Sequence, residues 1–343
     1  MAITIRDVAK AAGVSTATVS RALRGLPHVD DATRQKVMRA ADQLDYVVSP
    51  SASRLATGRA GAIAVITPYI ARWYFSKVLS GVESVLQRAD LDLLLFSVGD
   101  PDEHMRAPAY RRLRRRVDGI LIISLPSNDP NVQGVLDLGL PTSMIGTRQP
   151  GFPSVTIDDV LGARTATQHL VNLGHERIAV ISGRPMPTPY TSEHDRLAGY
   201  TMTLTSSGLA IDPELITYGY FTIAGGEQAM TGLLAQADPP TAVFAHSDEM
   251  AFGAMRAMRR QGLEPGRDIS IVGFDDHELA DITDLTTIAQ PVAHLGALAA
   301  DALTRQLDRP IGLEADSLVV PTSLVVRGSS RPLRGAGTSR SGS

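Results

Sequence analysis

The stretch TIRDVAKAAGVSTATVSRALR, residues 4–24, decides the fold of the N-terminal part of the chain. Thr4 and Asp7 predict the start of a helix, because a threonine cap followed three positions later by an acidic residue suits the positive end of a helix. Gly13 supplies the left-handed residue that ends this helix, and Ser15 caps a second one that runs to about residue 24. The pattern predicts a helix, a tight turn and a second helix.

The second helix is predicted to have two different faces. Val19 and Leu23 lie four residues apart and point inward, which turns small, hydroxyl and arginine side chains outward. Such a face fits the major groove of DNA, where an arginine can donate two hydrogen bonds to guanine and a methyl group can contact thymine. A third helix, capped by Asp30 or Asp31, completes the core. The candidate DNA-contacting residues of this region are Thr4, Ser15, Thr16, Ala17, Thr18, Ser20, Arg21 and Arg24.

Residues 4–24 and the run VDDATRQKVMRAADQLDYV at 29–47 closely resemble the DNA-binding headpiece of LacI/GalR-type transcriptional regulators. The resemblance implies a headpiece over 1–47. The alternative for the same pattern is a three-helix module that binds a protein.

A short helix is predicted after the headpiece, with Ser49 as its cap and Gly58 as its end. Residues 48–60 resemble the hinge helix of the same family, which in the bound dimer pushes a leucine into the minor groove. Leu55 stands at that position, and Ser49 and Arg54 are further candidate DNA contacts. A flexible linker with an incidental leucine is the alternative.

Charge is distributed unevenly along the 343 residues. Residues 1–60 carry nine basic and five acidic side chains, a net charge of +4, so the rest of the chain carries −7 of the total of −3. A basic head on an acidic body is expected where the first domain meets a polyanion. The chain has no cysteine, which excludes disulfide scaffolds, cysteine-ligated metal centres and cysteine nucleophiles. We find neither a membrane-spanning apolar run nor a signal peptide, and expect a soluble cytoplasmic protein.

From residue 61 onward, short apolar runs alternate with helical patterns, which predicts parallel sheets covered by helices on both faces. This length favours two sheets, each with its own core. The expected fold class is therefore multidomain, with a small all-α helix-turn-helix domain followed by a two-lobed α/β domain. Strands are predicted near 62–66, 91–97, 117–124, 178–182, 241–245 and 269–274, and helices near 75–89, 105–115 and 158–174.

This part resembles the periplasmic-binding-protein-like core of the same family, which implies an effector-binding and dimerisation domain over 61–330. The N-lobe would take about 61–159 and 290–316, and the C-lobe about 160–289 and 317–328. The tail 331–343 is rich in Gly, Ser and Arg and is expected to be disordered. It lacks the leucine heptads by which some members of this family form tetramers, so we expect a homodimer.

Ligands of open parallel sheets bind beyond the carboxyl ends of the strands, so the residues just after strands are the candidates for an effector site. Asp275 follows the strand ISIVGF and can accept hydroxyl hydrogen bonds, and Arg196 begins the run RLAGY. Either residue could instead have a structural role, as a helix cap or an ion-pair partner. The aromatic and small polar candidates, which could equally belong to the core, are Tyr74, Phe75, Phe221 and Ser247.

One position departs from the family. Many members have an acidic ligand contact where this chain has Gly146-Thr147-Arg148. The change removes a hydroxyl acceptor and adds a cation, which favours an anionic or smaller effector over a plain neutral sugar.

Other motifs in the sequence do not predict catalysis, metal binding or a further nucleic-acid site. The run RRLRRR at 111–116 fits a solvated helix face better than a nucleic-acid patch, and the sequence lacks metal-site, P-loop and hydrolase motifs. We therefore expect no enzymatic activity, metal or cofactor. The predicted function is a repressor that binds a pseudo-palindromic operator in double-stranded DNA as a homodimer, controlled by a sugar or sugar derivative. The alternatives are the solute-binding component of a sugar transport system and a cytoplasmic hydrolase or kinase.

Overall fold

The computed structural model describes residues 3–23, 25–46, 59–99, 113–185, 191–307 and 316–333. These residues form two compact units, Met1–Gly61 and Ala62–Ser343. In the part of the chain that is described, no helix is long and apolar enough to cross a membrane.

The first unit contains three helices, α1 (Ile5–Ala12), α2 (Thr16–Leu23) and α3 (Asp31–Gln43). At the start of α1, Asp7 Oδ2 accepts hydrogen bonds from the amide and the hydroxyl of Thr4, at 2.8 and 2.7 Å. Gly13 ends α1 with a φ of 62°, a left-handed conformation that costs glycine little. The predicted helix, turn and helix are confirmed.

The core of this unit is small and aliphatic. Val8, Val19 and Val37 are fully buried, one on each helix. Arg34 of α3 donates hydrogen bonds to the carbonyls of Ala22 and Leu26, at 3.1 and 3.0 Å, and so fixes the turn that follows α2. This arginine has a structural role.

The second unit contains two six-stranded sheets. The first has the order β11-β5-β4-β3-β1-β2 and the second β12-β10-β9-β8-β6-β7. All pairs are parallel except β10 with β12. The strands are β1 (Ala62–Thr67), β2 (Asp92–Ser97), β3 (Gly119–Ile123), β4 (Thr142–Ile145), β5 (Ser154–Ile157), β6 (Ile178–Ser182), β7 (Ile216–Tyr218), β8 (Ala242–Ala245), β9 (Ser270–Asp275), β10 (Thr286–Ala289), β11 (Ser317–Val320) and β12 (Ser323–Val325).

Helices cover the sheets. A parallel strand between two helical layers has no solvent-exposed face, so such strands are apolar and buried. Every residue of β1, β3 and β6 is buried. The helices are α4 (Trp73–Arg88), α5 (Pro130–Leu136), α6 (Asp159–Asn172), α7 (Thr191–Ser206), α8 (Ile223–Leu234), α9 (Asp248–Arg260), α10 (Glu278–Ile282) and α11 (Val292–Leu307). The predicted fold class, a helix-turn-helix domain followed by a two-lobed α/β domain, is confirmed.

The chain passes from one sheet to the other at three places. It leaves the first sheet after β5, returns to it after β10, and crosses again between β11 and β12. We call the part around the first sheet the first lobe, and the part around the second sheet the second lobe.

The expectation that 317–328 belongs to the second lobe is wrong for its first part. Ser317–Val320 runs parallel to β5 in the first sheet, and the hydroxyls of Ser317 and Ser154 pair at 2.8 Å. Pro321 has no amide hydrogen to continue the ladder, so the stretch is divided into two strands and the crossing lies at 321–322.

The prediction of a helix near 105–115 is also wrong for 113–115, the part of this range that the structure describes. Residues 113–116 form a turn in which Arg115 has a φ of 63° and the amide of Arg116 bonds to the carbonyl of Leu113. The three arginines at 114–116 are exposed, as expected for a solvated surface. Other predictions fall on residues outside the described ranges, namely the hinge with Ser49, Arg54 and Leu55, and also Arg24 and 334–343.

The end of the described chain is fixed to the second lobe by two histidines. His175 Nε2 is 3.0 Å from both the Ser270 hydroxyl and the Arg331 carbonyl, and its Nδ1 is 3.0 Å from the Thr241 hydroxyl. His169 Nε2 is 2.8 Å from the hydroxyl of Ser330. Burial lowers the pKa of both imidazoles below the usual 6.5, so the neutral rings are the stable ones.

We predict that acid weakens this attachment. A histidine whose pKa is lowered by folding contributes stability that is complete above the unfolded pKa of about 6.5 and is lost as the pH falls below it, with a slope of at most about 1.4 kcal/mol per pH unit. Denaturant titrations at pH 7.5 and 5.5 should therefore show a smaller acid loss in His175→Gln than in the wild type. The exposed His294→Gln is the control, and equal losses in all three proteins would contradict the prediction.

Candidate nucleic-acid interface and ligand cavity

The outward face of α2 consists of the residues that the sequence singled out. Thr16, Ala17 and Arg21 are exposed, whereas Val19 and Ala22 are buried against the other helices. Thr4 and Ser15 are also exposed, and Thr18 and Ser20 are half-buried. A helix that presents small side chains and one long cationic donor can enter a major groove without a steric obstacle.

The start of α2 is fixed by its own hydroxyl groups. Ser15 Oγ accepts a hydrogen bond from the Thr18 amide at 3.1 Å and lies 2.9 Å from Thr18 Oγ1. These contacts cap the helix, so Ser15 and Thr18 define its orientation. Arg21, one turn further on, is exposed, and a guanidinium group can donate two hydrogen bonds to the edge of a base.

A cavity that is partly open to solvent lies between the two lobes at the carboxyl ends of their strands, with about 870 Å³ of empty space that includes open solvent. All six effector candidates from the sequence line it. The residues that line it are Tyr69, Arg72, Tyr74, Phe75, Ser124, Gly146, Thr156, Ile157, Asp159, Arg184, Ser192, Glu193, Arg196, Phe221, Ser247, Glu249, Asp275, Gln290 and Leu295.

The aromatic wall of the first lobe is built by the segment that leads into α4. The ring of Phe75 packs edge-on against Tyr69 and Tyr74, with centroids 5.6 and 5.2 Å away. Burial raises the pKa of Tyr74 to about 12, although a hydrogen bond with Ser124 acts in the opposite direction. Tyr74 is therefore a neutral hydroxyl at physiological pH, and the wall offers apolar ring surface with two hydroxyl groups, those of Tyr69 and Tyr74.

Phe221 supplies the aromatic ring of the second lobe. It follows β7 in a left-handed conformation with a φ of 53°, as does Tyr220 before it. Gly183 makes room for the ring, because a Cβ at this position would lie 2.2 Å from Phe221 Cε2. The backbone after β6 and β7 is thus shaped to hold an aromatic side chain in the cavity.

Arg196 of α7 forms the cationic floor of the cavity. Its Nε donates to Asp159 Oδ1 at 2.8 Å, its Nη1 donates to the carbonyl of His246 at 2.5 Å, and its guanidinium lies 3.6 Å from the centroid of Phe274. The arginine is both an ion-pair partner and a cavity-lining residue. Burial raises the pKa of Asp159, and Arg196 opposes that effect.

Asp275 ends β9 and faces the same floor. Its Oδ1 accepts a hydrogen bond from Gln290 Nε2 at 2.6 Å, and its backbone has a φ of 128°. Burial raises the pKa of this carboxyl group well above the usual value, Arg196 opposes the rise, and Asp248 adds to it. A buried carboxylate in this position gains most from a ligand that donates hydrogen bonds to it.

Ser247 has a structural role beside its place in the cavity. Its Oγ accepts a hydrogen bond from the Met250 amide at 3.3 Å and caps α9. Just behind it, burial raises the pKa of Asp248 to about 7, although Asp248 accepts hydrogen bonds from the Thr287 hydroxyl and the His277 amide.

Several lining residues were not among the candidates from the sequence. Arg184 lies just after β6 and Ser124 just after β3, so the rule that selects residues after strands could have found them. Arg72, Glu193 and Glu249 lie on or beside helices, and the sequence gives no comparable signal for them.

Arg148 has another role than the one expected. It does not line the cavity, and its Nε and Nη2 donate to the hydroxyl of Thr156 at 3.2 and 2.9 Å. The lining residues include three arginines and four carboxyl groups, and one of the arginines, Arg196, is already paired with Asp159. Arg148 therefore gives no support to an anionic effector.

A helix-turn-helix unit followed by a two-lobed α/β body with a cavity between its lobes defines a class of proteins, the ligand-binding transcriptional regulators. Residues 4–49 match the model of the bacterial regulatory proteins of the lacI family, and residues 167–330 match that of the periplasmic binding protein-like domain. The chain belongs to the LacI family and is a DNA-binding transcriptional regulator.

Individual relatives agree along almost the whole length. The chain is 36% identical over 340 residues to the HTH-type transcriptional repressor CytR of Escherichia coli strain K12, with 97% of each chain covered. The structure of the Lac repressor dimer bound to operator and the anti-inducer ONPF gives a TM-score of 0.85 at 31% identity and covers 96% of this chain and 100% of that one. The structure of a transcriptional regulator CelR–cellobiose complex gives 0.70 at 33% identity, with coverage of 96% and 100%.

The ion pair under the cavity gives a stability prediction. Arg196→Met leaves the Asp159 carboxylate buried without its cation, and we expect the free energy of unfolding to fall by about 3–5 kcal/mol. Adding Asp159→Asn to that variant should recover part of the loss, because the uncompensated charge is then gone. Denaturant titrations of the single and double variants measure both effects.

The control is Arg267→Met, which breaks surface pairs with Glu264 and Asp268 and should cost about 1 kcal/mol or less. Equal costs for Arg196→Met and Arg267→Met would show that the buried pair does not support the floor of the cavity.

Proposed function

We propose that this regulator is an effector-responsive repressor that binds a pseudo-palindromic operator as a homodimer and takes a sugar or sugar derivative as its effector. The observation that carries the proposal is the cavity itself, which is lined by polar and aromatic residues of both lobes. A ligand that contacts both lobes binds best to one arrangement of them, and this differential affinity is what an allosteric response requires.

The chemistry of the lining suits a polyhydroxylated ring. Phe75 and Phe221 offer flat apolar faces, while Asp275 accepts and Arg196 donates hydrogen bonds. Arg196 is already paired with Asp159, which leaves less positive charge for a phosphorylated ligand and favours a neutral one. The similar regulator CelR forms a complex with cellobiose, and this supports a sugar.

Operator recognition is assigned to α2 of each subunit. In a dimer, two such helices enter successive major grooves of a pseudo-palindrome, with Arg21 as the base-reading donor and Thr16, Ala17 and Ser20 beside it. The similar Lac repressor structure is a dimer bound to operator, and this supports the arrangement. The alternative function, the solute-binding component of a transport system, does not explain why residues 4–49 match a DNA-binding family.

Arg21→Ala tests the base reading. We expect the affinity for the operator to fall by about 1–3 kcal/mol and the preference at one base position to relax, because a bidentate contact to guanine is lost. Operators selected from a random duplex library provide the substrate, and competition against random duplexes measures the specific part of the affinity.

The matched control is Arg39→Ala, which removes the same charge from an exposed site on α3. Its effect should be the same on all duplexes. An equal loss on operator and on random DNA for Arg21→Ala would refute its role in base reading.

Asp275→Asn tests the effector site. We expect ligands found in a thermal-shift screen of sugars, sugar phosphates and nucleobases to bind about 10- to 100-fold more weakly, since hydrogen bonds to a charged acceptor contribute about 1.5–3 kcal/mol. Operator binding by the variant should stay unchanged, and calorimetric titration measures the loss of ligand affinity.

The neighbouring Asp276→Asn is the control, because Asp276 pairs with Arg327 at 2.9 Å and does not line the cavity. A ligand that binds wild type and Asp275→Asn equally well would remove Asp275 from the site.

A further inference from the structure

Two short segments each contribute to the cavity and to a second cluster outside it. On α4, Tyr74 and Phe75 line the cavity, while Trp73 and Lys77 point to the other cluster. At the end of β9, Asp275 lines the cavity, and Glu278 belongs to the other cluster. A displacement of either segment by a ligand therefore reaches both places.

The second cluster joins the two lobes directly. Trp73 Nε1 of the first lobe donates a hydrogen bond to Glu278 Oε2 of the second, and Lys77 Nζ lies 2.5 Å from Glu278 Oε1. The indole ring also stacks on the imidazole of His277, with centroids 4.7 Å apart and planes inclined by 31°. A single carboxylate thus binds two side chains of the opposite lobe.

The second-lobe side of this cluster is held firmly. His277 Nδ1 accepts a hydrogen bond from the Leu279 amide at 2.9 Å, and the imidazole packs edge-on against Phe252 at 5.3 Å. The amide of His277 donates to the buried Asp248 at 2.8 Å. His277, which stacks on Trp73, is therefore fixed in place, and Glu278, which binds Trp73 and Lys77, is the next residue along the chain.

The surroundings leave room for movement. A groove of about 580 Å³, open to solvent, is lined by Trp73, Lys77, Glu278 and the segment 290–294, where the chain returns to the first lobe. Gln290 of that segment also bonds to Asp275. The hydrogen bonds from Lys77 and Trp73 lower the pKa of Glu278 to about 2, so its charge is present at neutral pH.

We propose that Trp73, Lys77, His277 and Glu278 form a latch that holds the two lobes together. The latch sets the equilibrium between lobe arrangements, and a ligand on Phe75 and Asp275 shifts that equilibrium through the shared segments. This last step rests on the proposed function, whereas the latch itself does not.

A second contact between the lobes limits how far they separate when the latch is lost. At the mouth of the cavity, Arg184 Nη2 of the second lobe donates to the hydroxyl of Tyr69 in the first lobe at 2.6 Å. Loss of the latch is therefore expected to loosen the lobes without separating them completely.

Lobe separation can be measured directly because the chain has no cysteine of its own. Gln87→Cys on α4 and Gln261→Cys after α9 place one spin label on each lobe, both at exposed positions. The labelled protein is diluted with unlabelled chains, so that double electron–electron resonance measures the distance between the two labels of one chain and not a distance between chains. No effector and no DNA are added.

In this labelled background, Glu278→Ala should give a longer mean distance and a broader distribution than the parent protein. Glu278→Gln should lie between them, because the amide oxygen still accepts from Trp73 but carries no charge for Lys77. The control is Glu264→Ala, which removes an ion pair within the second lobe whose exposure is similar, 40% and 62% against 40% and 56% for Lys77 and Glu278.

The latch is refuted if Glu278→Ala melts cooperatively and yet has the same distance distribution as the parent protein. It is also refuted if Glu264→Ala shifts the mean distance as much as Glu278→Ala does. Should Glu278→Ala fail to fold, Glu278→Gln decides alone by the same criterion. The emission of Trp73, the one tryptophan of the chain, gives an independent readout, since acrylamide should quench it more strongly when the lobes loosen. These outcomes do not depend on operator or ligand binding, so the latch and the proposed function can fail separately.

Discussion

The buried guanidinium of Arg196 is the interaction on which the geometry of the cavity depends. It connects α7 to Asp159 at the start of α6, to the carbonyl of His246 after β8, and to the ring of Phe274 on β9. A charge that is removed from water costs several kcal/mol unless its partners are well placed, so these elements cannot shift independently. Asp275, whose own carboxyl group is disfavoured as an anion by burial, lies within the field of the same cation. The floor of the site is therefore polar, buried and fixed in place.

The backbone at the strand ends shows the same preorganisation. Asp275 and Asp276 have φ values of 128° and 58°, and Tyr220 and Phe221 have values of 54° and 53°. Left-handed conformations of residues other than glycine cost of order 1–3 kcal/mol and persist only where the surroundings fix them. Here they occur where β9 and β7 end, and they direct one carboxylate and one aromatic ring into the cavity. The strain is located where side-chain direction matters for binding.

The sequence predicted the elements better than it predicted the directions of side chains. The cap at Thr4, the stop at Gly13 and the strand at 178–182 depend on local chemistry, and the structure has them where they were expected. Arg148 was placed in the cavity by position, yet it does not line the cavity, and its guanidinium binds the hydroxyl of Thr156, a lining residue eight positions away. Glu193 and Glu249 enter the cavity through the packing of α7 and α9 on the second sheet, which no local pattern encodes. Pro321 was visible in the sequence, but its consequence, a strand divided between two sheets, depends on tertiary pairing.

A regulator needs lobe contacts that are specific and weak. Exposed ion pairs contribute about 1 kcal/mol or less, whereas allosteric coupling typically amounts to about 1–3 kcal/mol. A contact such as Lys77 with Glu278, half open to solvent, can thus bias the lobes without exceeding what a ligand can reverse. A buried pair like Arg196 with Asp159 would be too costly to break in each cycle. In the proposed regulation, the buried pair within the second lobe keeps that lobe rigid, and the exposed pair between the lobes allows them to move.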